Sequence, residues 1–339
     1  MAQDDDVKIV LLGGVMSFGG VEQHMLTLAL ALRRLGHDAQ IMGLCNAGGF
    51  DQIRGWTDPE GQVPVHWAEG WPLNAAGARQ MLLDLAPDVV NVQLPVSPAA
   101  IPEPADFAVV GTTHGVSSLQ GRIPDCRSII ALDKRILPEL RAFASEMGLP
   151  VQALTNCVDL KRFAFRDDAA GRDGAAYFGR VDQTKLGVLA GWVGCGTMDI
   201  YCDAPGADVF RVNFPLPQFA IKGPARAEDV LYRYRIVAAS GTGAIEAMAC
   251  GALVLAAPLD AGRLAGWRDW GYMPDYFYYE GWRFDREDGV REVPRDAARL
   301  RQDGIATETA RLCRQWVERW HDVEAVAKQF VEVYEEAMN

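Results

Sequence analysis

Short apolar runs alternate along this chain with longer stretches that are apolar on one face only. Lys8-Ile9-Val10-Leu11-Leu12 is such a run, and it meets Gly13-Gly14 as a strand buried in a parallel sheet does. From Val21, the residues Met25, Leu28, Ala29, Leu32 and Leu35 recur at helical spacing, with Gly36 as the C-terminal stop. Further strands are predicted over 39–44, 89–92, 108–112 and 128–132, and helices over 76–85 and 136–147. Strands alternating with helices imply an α/β fold with a parallel, doubly wound sheet.

The pattern then begins again. Residues 175–179 read as a strand, 186–192 as a helix and 198–201 as a strand; 235–239 leads through Gly241-Thr242-Gly243 into a helix from Ala244 and a strand over 253–256. The polar, small-residue stretch 166–173 is the expected boundary. This gives a first Rossmann-like domain over 1–168, a second over 169–310 and a terminal helix over 311–339 that packs across both. One long helix is expected after about residue 305, with Trp316, Trp320, Val323, Ala327 and Phe330 on its apolar stripe.

Composition narrows the function classes. At 339 residues, with 49% hydrophobic and 23% charged residues, the chain exceeds a single core of roughly 150 residues. It has no apolar run near the roughly 18 residues that span a bilayer. The acidic opening Met1 to Asp6 is unlike a secretory leader, so a cytoplasmic location is expected. A net charge of -12 repels nucleic acid, which is not an expected partner. Without a dense basic helix, membrane contact is at most peripheral, and oligomeric state is not indicated. The seven cysteines are scattered without metal-ligand spacing, so neither a zinc site nor another metal is expected.

Four clusters carry candidate chemistry. The loop from Gly13 to Glu22, with Gly19-Gly20, joins strand to helix, where backbone N–H groups favour an anion; a plain tight turn is the alternative. In Ser240-Gly241-Thr242-Gly243, glycines precede an apolar helix carrying Glu246. That acid either accepts hydrogen bonds from ribose hydroxyls or caps its own helix. Arg180 and Lys185, just past a strand end, either grip a diphosphate or form a solvated pair. His114 also follows a strand end, as a site residue or a core histidine, whereas His24, His37, His66 and His321 have no site context. The aromatic-rich stretch from Trp267 to Trp282 stacks on a sugar or a partner, or packs under the terminal helix.

Taken in order, Gly19-Gly20-Val21-Glu22, Pro87-Asp88-Val89-Val90, Thr112-Thr113-His114-Gly115, Asn156-Cys157-Val158-Asp159, Phe178-Gly179-Arg180 with Lys185, and Glu246-Ala247-Met248-Ala249-Cys250-Gly251 resemble the retaining glycosyltransferase family 4. The resemblance implies the GT-B fold, in which two Rossmann-like domains face each other across a nucleotide-sugar cleft. It also implies transfer with retention from a nucleoside-diphosphate sugar to a glycan, lipid-linked or small-molecule acceptor, with no cofactor and no obligatory metal. Arg180 and Lys185 would bind the diphosphate, Glu246 the ribose, Gly20 would lie beside the phosphates, and His114 would approach the sugar. The chain departs from the pattern at Ala238, where a second glutamate is common, at Cys157, where glycine is usual, and at Gln93, where histidine is common. Two readings stand beside the transferase within this fold: a nucleotide-sugar epimerase, and a binding or scaffold protein without catalysis, which Ala238 suggests. A dinucleotide oxidoreductase rests on the Rossmann-like loops alone.

Overall fold

The structure, a computed structural model, describes residues 6–17, 19–68, 75–93, 96, 100–102, 106–114, 125–132, 137–168, 171–179, 181, 189, 192–213, 215–239, 241–256, 298 and 301–339. It divides into two compact units, Met1–Cys157 with Val323–Asn339, and Val158–Asp322. The units part at Cys157 and Val158 rather than within 166–173. That stretch packs inside the second unit, where buried Arg172 donates to Asp168 Oδ1 at 2.7 Å and to the carbonyls of Arg166 at 2.8 Å and Cys250 at 3.3 Å.

The first unit holds β1 (Lys8–Met16), α1 (Gly20–Arg34), β2 (Asp38–Asn46), α2 (Phe50–Thr57), β3 (Val65–Trp67), α3 (Ala75–Leu85) and β4 (Val89–Gln93). β5 (Ala108–Thr113), β6 (Cys126–Ala131), α4 (Leu137–Glu146) and β7 (Val151–Ala153) follow. The seven strands are parallel in the order β3-β2-β1-β4-β5-β6-β7. The order reverses between β1 and β4, and a crevice at the strand carboxyl ends is the usual ligand site of such a sheet. Gly13-Gly14 do not end β1. Pairing with β2 continues through Gly13 with Gly43, Val15 with Cys45 and Met16 with Asn46, so only Ser17 to Gly19 connect strand to helix. Gly13 leaves room for Met16, whose Sδ would have to shift if a Cβ stood at that position.

The second unit repeats the plan with β8 (Ala175–Phe178), β9 (Met198–Tyr201), α5 (Ala204–Asn213), β10 (Phe219–Ile221), α6 (Ala227–Val230), β11 (Ile236–Ala239), α7 (Thr242–Ala249), β12 (Leu253–Ala256) and α8 (Asp303–Trp320). Its strands are parallel in the order β10-β9-β8-β11-β12, the same winding as the first five of the other sheet. The helix expected over 186–192 lies largely outside the described residues, as does the aromatic stretch 267–282.

The single terminal helix of the sequence pattern is two helices. α8 ends at Trp320, the chain turns at His321 and Asp322, and α9 (Val323–Met338) begins. His321 pins the turn, its carbonyl accepting from Val158 N at 2.8 Å and its ring lying 4.5 Å from that of Trp316. α8 packs on α7 and β12, whereas α9 packs on α1, β5 and β6, so the two halves of the stripe serve different cores. Phe330 and Tyr334 are wholly buried in the first core. Phe330→Ala is expected to destabilise the first unit by about 3–5 kcal/mol in urea unfolding. Trp320, 45% exposed, is expected to change stability by no more than about 0.5 kcal/mol when replaced by Ala.

Candidate functional site

The loop between β1 and α1 is organised by its own acid. Glu22, buried in the first turn of α1, accepts from Ser17 N at 2.7 Å and from Ser17 Oγ at 3.3 Å. Gly19, the N-cap, has extended backbone, so its value lies in space: a Cβ would stand 2.7 Å from Glu22 Oε2. Gly20 is the first residue of the helix. The role of Glu22 escaped sequence reasoning, although an acid in the first turn near a loop serine is a capping signal.

His114 follows β5 at the carboxyl edge of the first sheet, next to Gln93 at the end of β4. Its Nε2 is 2.7 Å from Gln93 Oε1. The Gln93 amide nitrogen donates to Asn91 Oδ1, which also accepts from Thr112 Oγ1 at 2.9 Å, and Asn91 Nδ2 meets Tyr334 Oη at 2.8 Å. With the amide nitrogen of Gln93 committed, its oxygen faces the imidazole; Nε2 therefore carries the proton and Nδ1 the lone pair. Burial lowers the His114 pKa to about 4, so the ring is neutral at pH 7. His24 on α1 lies edge-on to it with ring centroids 5.3 Å apart. Burial first, and His114 second, hold His24 well below the usual histidine range.

In the second unit, β11 runs to Ala239 and α7 starts at Thr242 behind Gly241, whose positive φ of 55° suits glycine. The helix begins at Thr242, two residues before the expected Ala244, so Glu246 is its fifth residue and too deep to cap it. It is buried, and among the described residues no donor reaches its carboxyl. Burial raises its pKa to about 8; Arg162 opposes this, and Glu228 adds to it. Arg162 is itself paired with Glu228 at 3.0 Å, and Arg226 with Glu228 at 2.8 Å. Arg180, Lys185 and Ser240 lie outside the described residues. Gly241, Thr242, Gly243 and Glu246 thus come together at the opening of α7, and Gly19, Gly20 and His114 lie in the first unit. Among the described residues, no group of three His, Cys, Asp or Glu side chains could hold a metal.

Ala238 proves to be an interior strand position. It pairs with Tyr177 and Leu255, is fully buried, and packs in the core with Tyr177 and Leu253, while α7 covers the opposite face through Val237 and Ala239. A glutamate at 238 would point into that core, because the connection from β11 to α7 is only two residues long.

Two parallel sheets of the same winding are the two Rossmann-like halves of the GT-B fold, which the chain shares with the solved structures below. Residues 18–151 match the model of Glycosyltransferase Family 4. No curated protein matches the chain in sequence. A glycosyltransferase from Rickettsia africae ESF-5 superimposes with a TM-score of 0.68 at 13% identity, over 98% of this chain and 99% of that one. An alpha-glucosyltransferase solved with UDP and a 13-mer DNA gives 0.64 at 10% identity, over 97% and 99%. The UDP-N-acetylglucosamine 2-epimerase fold of Listeria monocytogenes, described as putative in function, gives 0.58 at 12% identity, over 95% and 94%. No described helix is long and apolar enough to cross a membrane. Ala238→Glu is expected to lower the stability of the second unit by several kcal/mol, since it buries an unpaired carboxyl. Thermal unfolding would show this as a drop in Tm without any gain of activity.

Proposed function

We propose that this chain transfers a sugar, with retention of configuration, from a nucleoside-diphosphate sugar to a glycan, lipid-linked or small-molecule acceptor. The observation that carries the reading is Glu246, buried with no hydrogen-bond donor among the described residues, one turn inside a helix that opens on glycines at the carboxyl edge of a parallel sheet. A carboxylate so placed is short of two hydrogen bonds, which is what a pair of vicinal ribose hydroxyls supplies. Gly241, Thr242 and Gly243 stand at the start of α7, where free amides and the helix dipole favour an anion, and with Ser240 they are assigned the diphosphate. Arg180 and Lys185 are assigned the charge that grows on the leaving diphosphate as the anomeric C–O bond breaks. The acceptor oxygen forms the new bond to the anomeric carbon, and its proton leaves with the diphosphate. In this assignment protein cations, not a metal, stabilise the leaving group, and Gly19, Gly20 and His114 of the first unit serve the phosphates and the donor sugar.

A second reading, a nucleotide-sugar epimerase, is favoured by the similarity in fold to the Listeria protein. An epimerase would process the donor with no acceptor present and exchange a sugar proton with solvent; a transferase would do neither.

A thermal-shift screen over UDP, GDP, ADP and dTDP is expected to raise Tm with one base above the rest. Arg180→Ala and Lys185→Ala should each lower turnover at least tenfold with little change in Tm, and full activity in both would overturn the assignment. The raised Glu246 carboxyl makes binding pH-dependent. Since the ionised form accepts both hydroxyls, nucleotide affinity should rise with pH from 6 and level off above about 8, by at most about tenfold per unit. Glu246→Gln should bind more weakly and without that slope in calorimetry. In the free protein the sign is opposite: the folded state holds the Glu246 proton longer than the unfolded chain, so stability falls as pH rises from about 4.5 to about 8.

A further inference from the structure

We propose that Gln93 is a positioning residue for His114, holding its imidazole in the Nε2–H form so that Nδ1 is offered as a hydrogen-bond acceptor. That a sugar hydroxyl is the group Nδ1 receives rests on the transferase reading; the fixing of the ring does not. Gln93 is almost fully buried, and both ends of its amide are engaged, the oxygen by His114 Nε2 at 2.7 Å and the nitrogen by Asn91 Oδ1. Rotating the amide would set its nitrogen against the protonated Nε2 and its oxygen against Asn91 Oδ1, breaking two buried hydrogen bonds at once. Asn91 is placed with the same polarity, its oxygen accepting from Thr112 Oγ1 at 2.9 Å and its nitrogen donating to Tyr334 Oη at 2.8 Å. The chain of contacts therefore begins in α9, at Tyr334, 243 residues from Asn91 in the sequence, and ends on one nitrogen of an imidazole at the strand edge.

Among the described residues no donor engages Nδ1 of His114, which leaves that atom as the acceptor of the ring. The titratable groups near the ring are His24 from α1, with its centroid 5.3 Å away, Cys157, whose Sγ is 3.9 Å from His24 Nδ1, and Tyr334 through Asn91. Burial keeps His114 and His24 neutral, so no cation competes for the lone pair. Gln93 suits this arrangement better than an acid: a carboxylate in its place would draw a second proton onto the ring and remove the acceptor.

Nitrogen-15 spectra of the full-length protein labelled at histidine read the tautomer directly. At pH 7 the wild type should show His114 with a protonated Nε2 and an unprotonated Nδ1. Gln93→Leu should show both tautomers, and Tyr334→Phe should keep the fold while beginning to mix them. Gln93→Glu should raise the titration midpoint of His114 from about 4 by one to three units. A protonated Nδ1 in the wild type, or a single Nε2–H form surviving in Gln93→Leu, would overturn the proposal. The wild-type spectrum decides even if a variant fails to fold. Absence of turnover with every donor, with the tautomer fixed as expected, would instead count against the transferase reading alone.

Discussion

Every described strand of this protein is parallel to its neighbours, and that single constraint arranges everything else. Parallel pairing demands a crossover between successive strands, the crossovers cover both faces with helices, and all carboxyl ends emerge on one edge. Chemistry collects on that edge because the helices begin there, with free amides and the positive end of the helix dipole. In each unit the sequence spends its glycines and its buried acid at such a place: Gly19 beside Glu22 in the first, Gly241 ahead of Glu246 in the second.

The two acids look alike on paper and differ in what surrounds them. Glu22 is satisfied by Ser17 and closes its loop. Glu246 has no donor among the described residues, and burial lifts its pKa to about 8. A satisfied acid stabilises a loop, whereas an unsatisfied one is poised for a ligand. The histidines do not divide in this way: among the described residues His114 has Nε2 engaged by Gln93 and Nδ1 without a donor, while His24, enclosed by His114, Phe330 and Cys157, has its own Nε2 buried without a partner.

Much of the fold was legible because apolar runs and helical stripes persist over several residues. The strand over Met198–Tyr201 and the helix beginning near Val21 follow directly from such patterns. Three features were not legible. Gly13-Gly14 read as the end of a strand, yet pairing with β2 carries β1 on to Met16. The stripe from Trp316 to Phe330 read as one helix, because amphipathic period alone does not report that its halves face different cores. Ala238 read as a missing site residue, because counting back from Glu246 does not reveal how short the turn before α7 is.

By itself the sequence determined the α/β class, the repeat of the plan in two halves, and the residue types at the candidate site, since these depend on local period and on chemistry a side chain carries anywhere. Tertiary structure alone decided the pairings. The return of α9 to the first unit, the path from Tyr334 through Asn91 and Gln93 to His114, and the isolation of Glu246 join residues far apart in the chain. Burial and hydrogen-bond satisfaction are properties of neighbours in space, and only the folded chain supplies those neighbours.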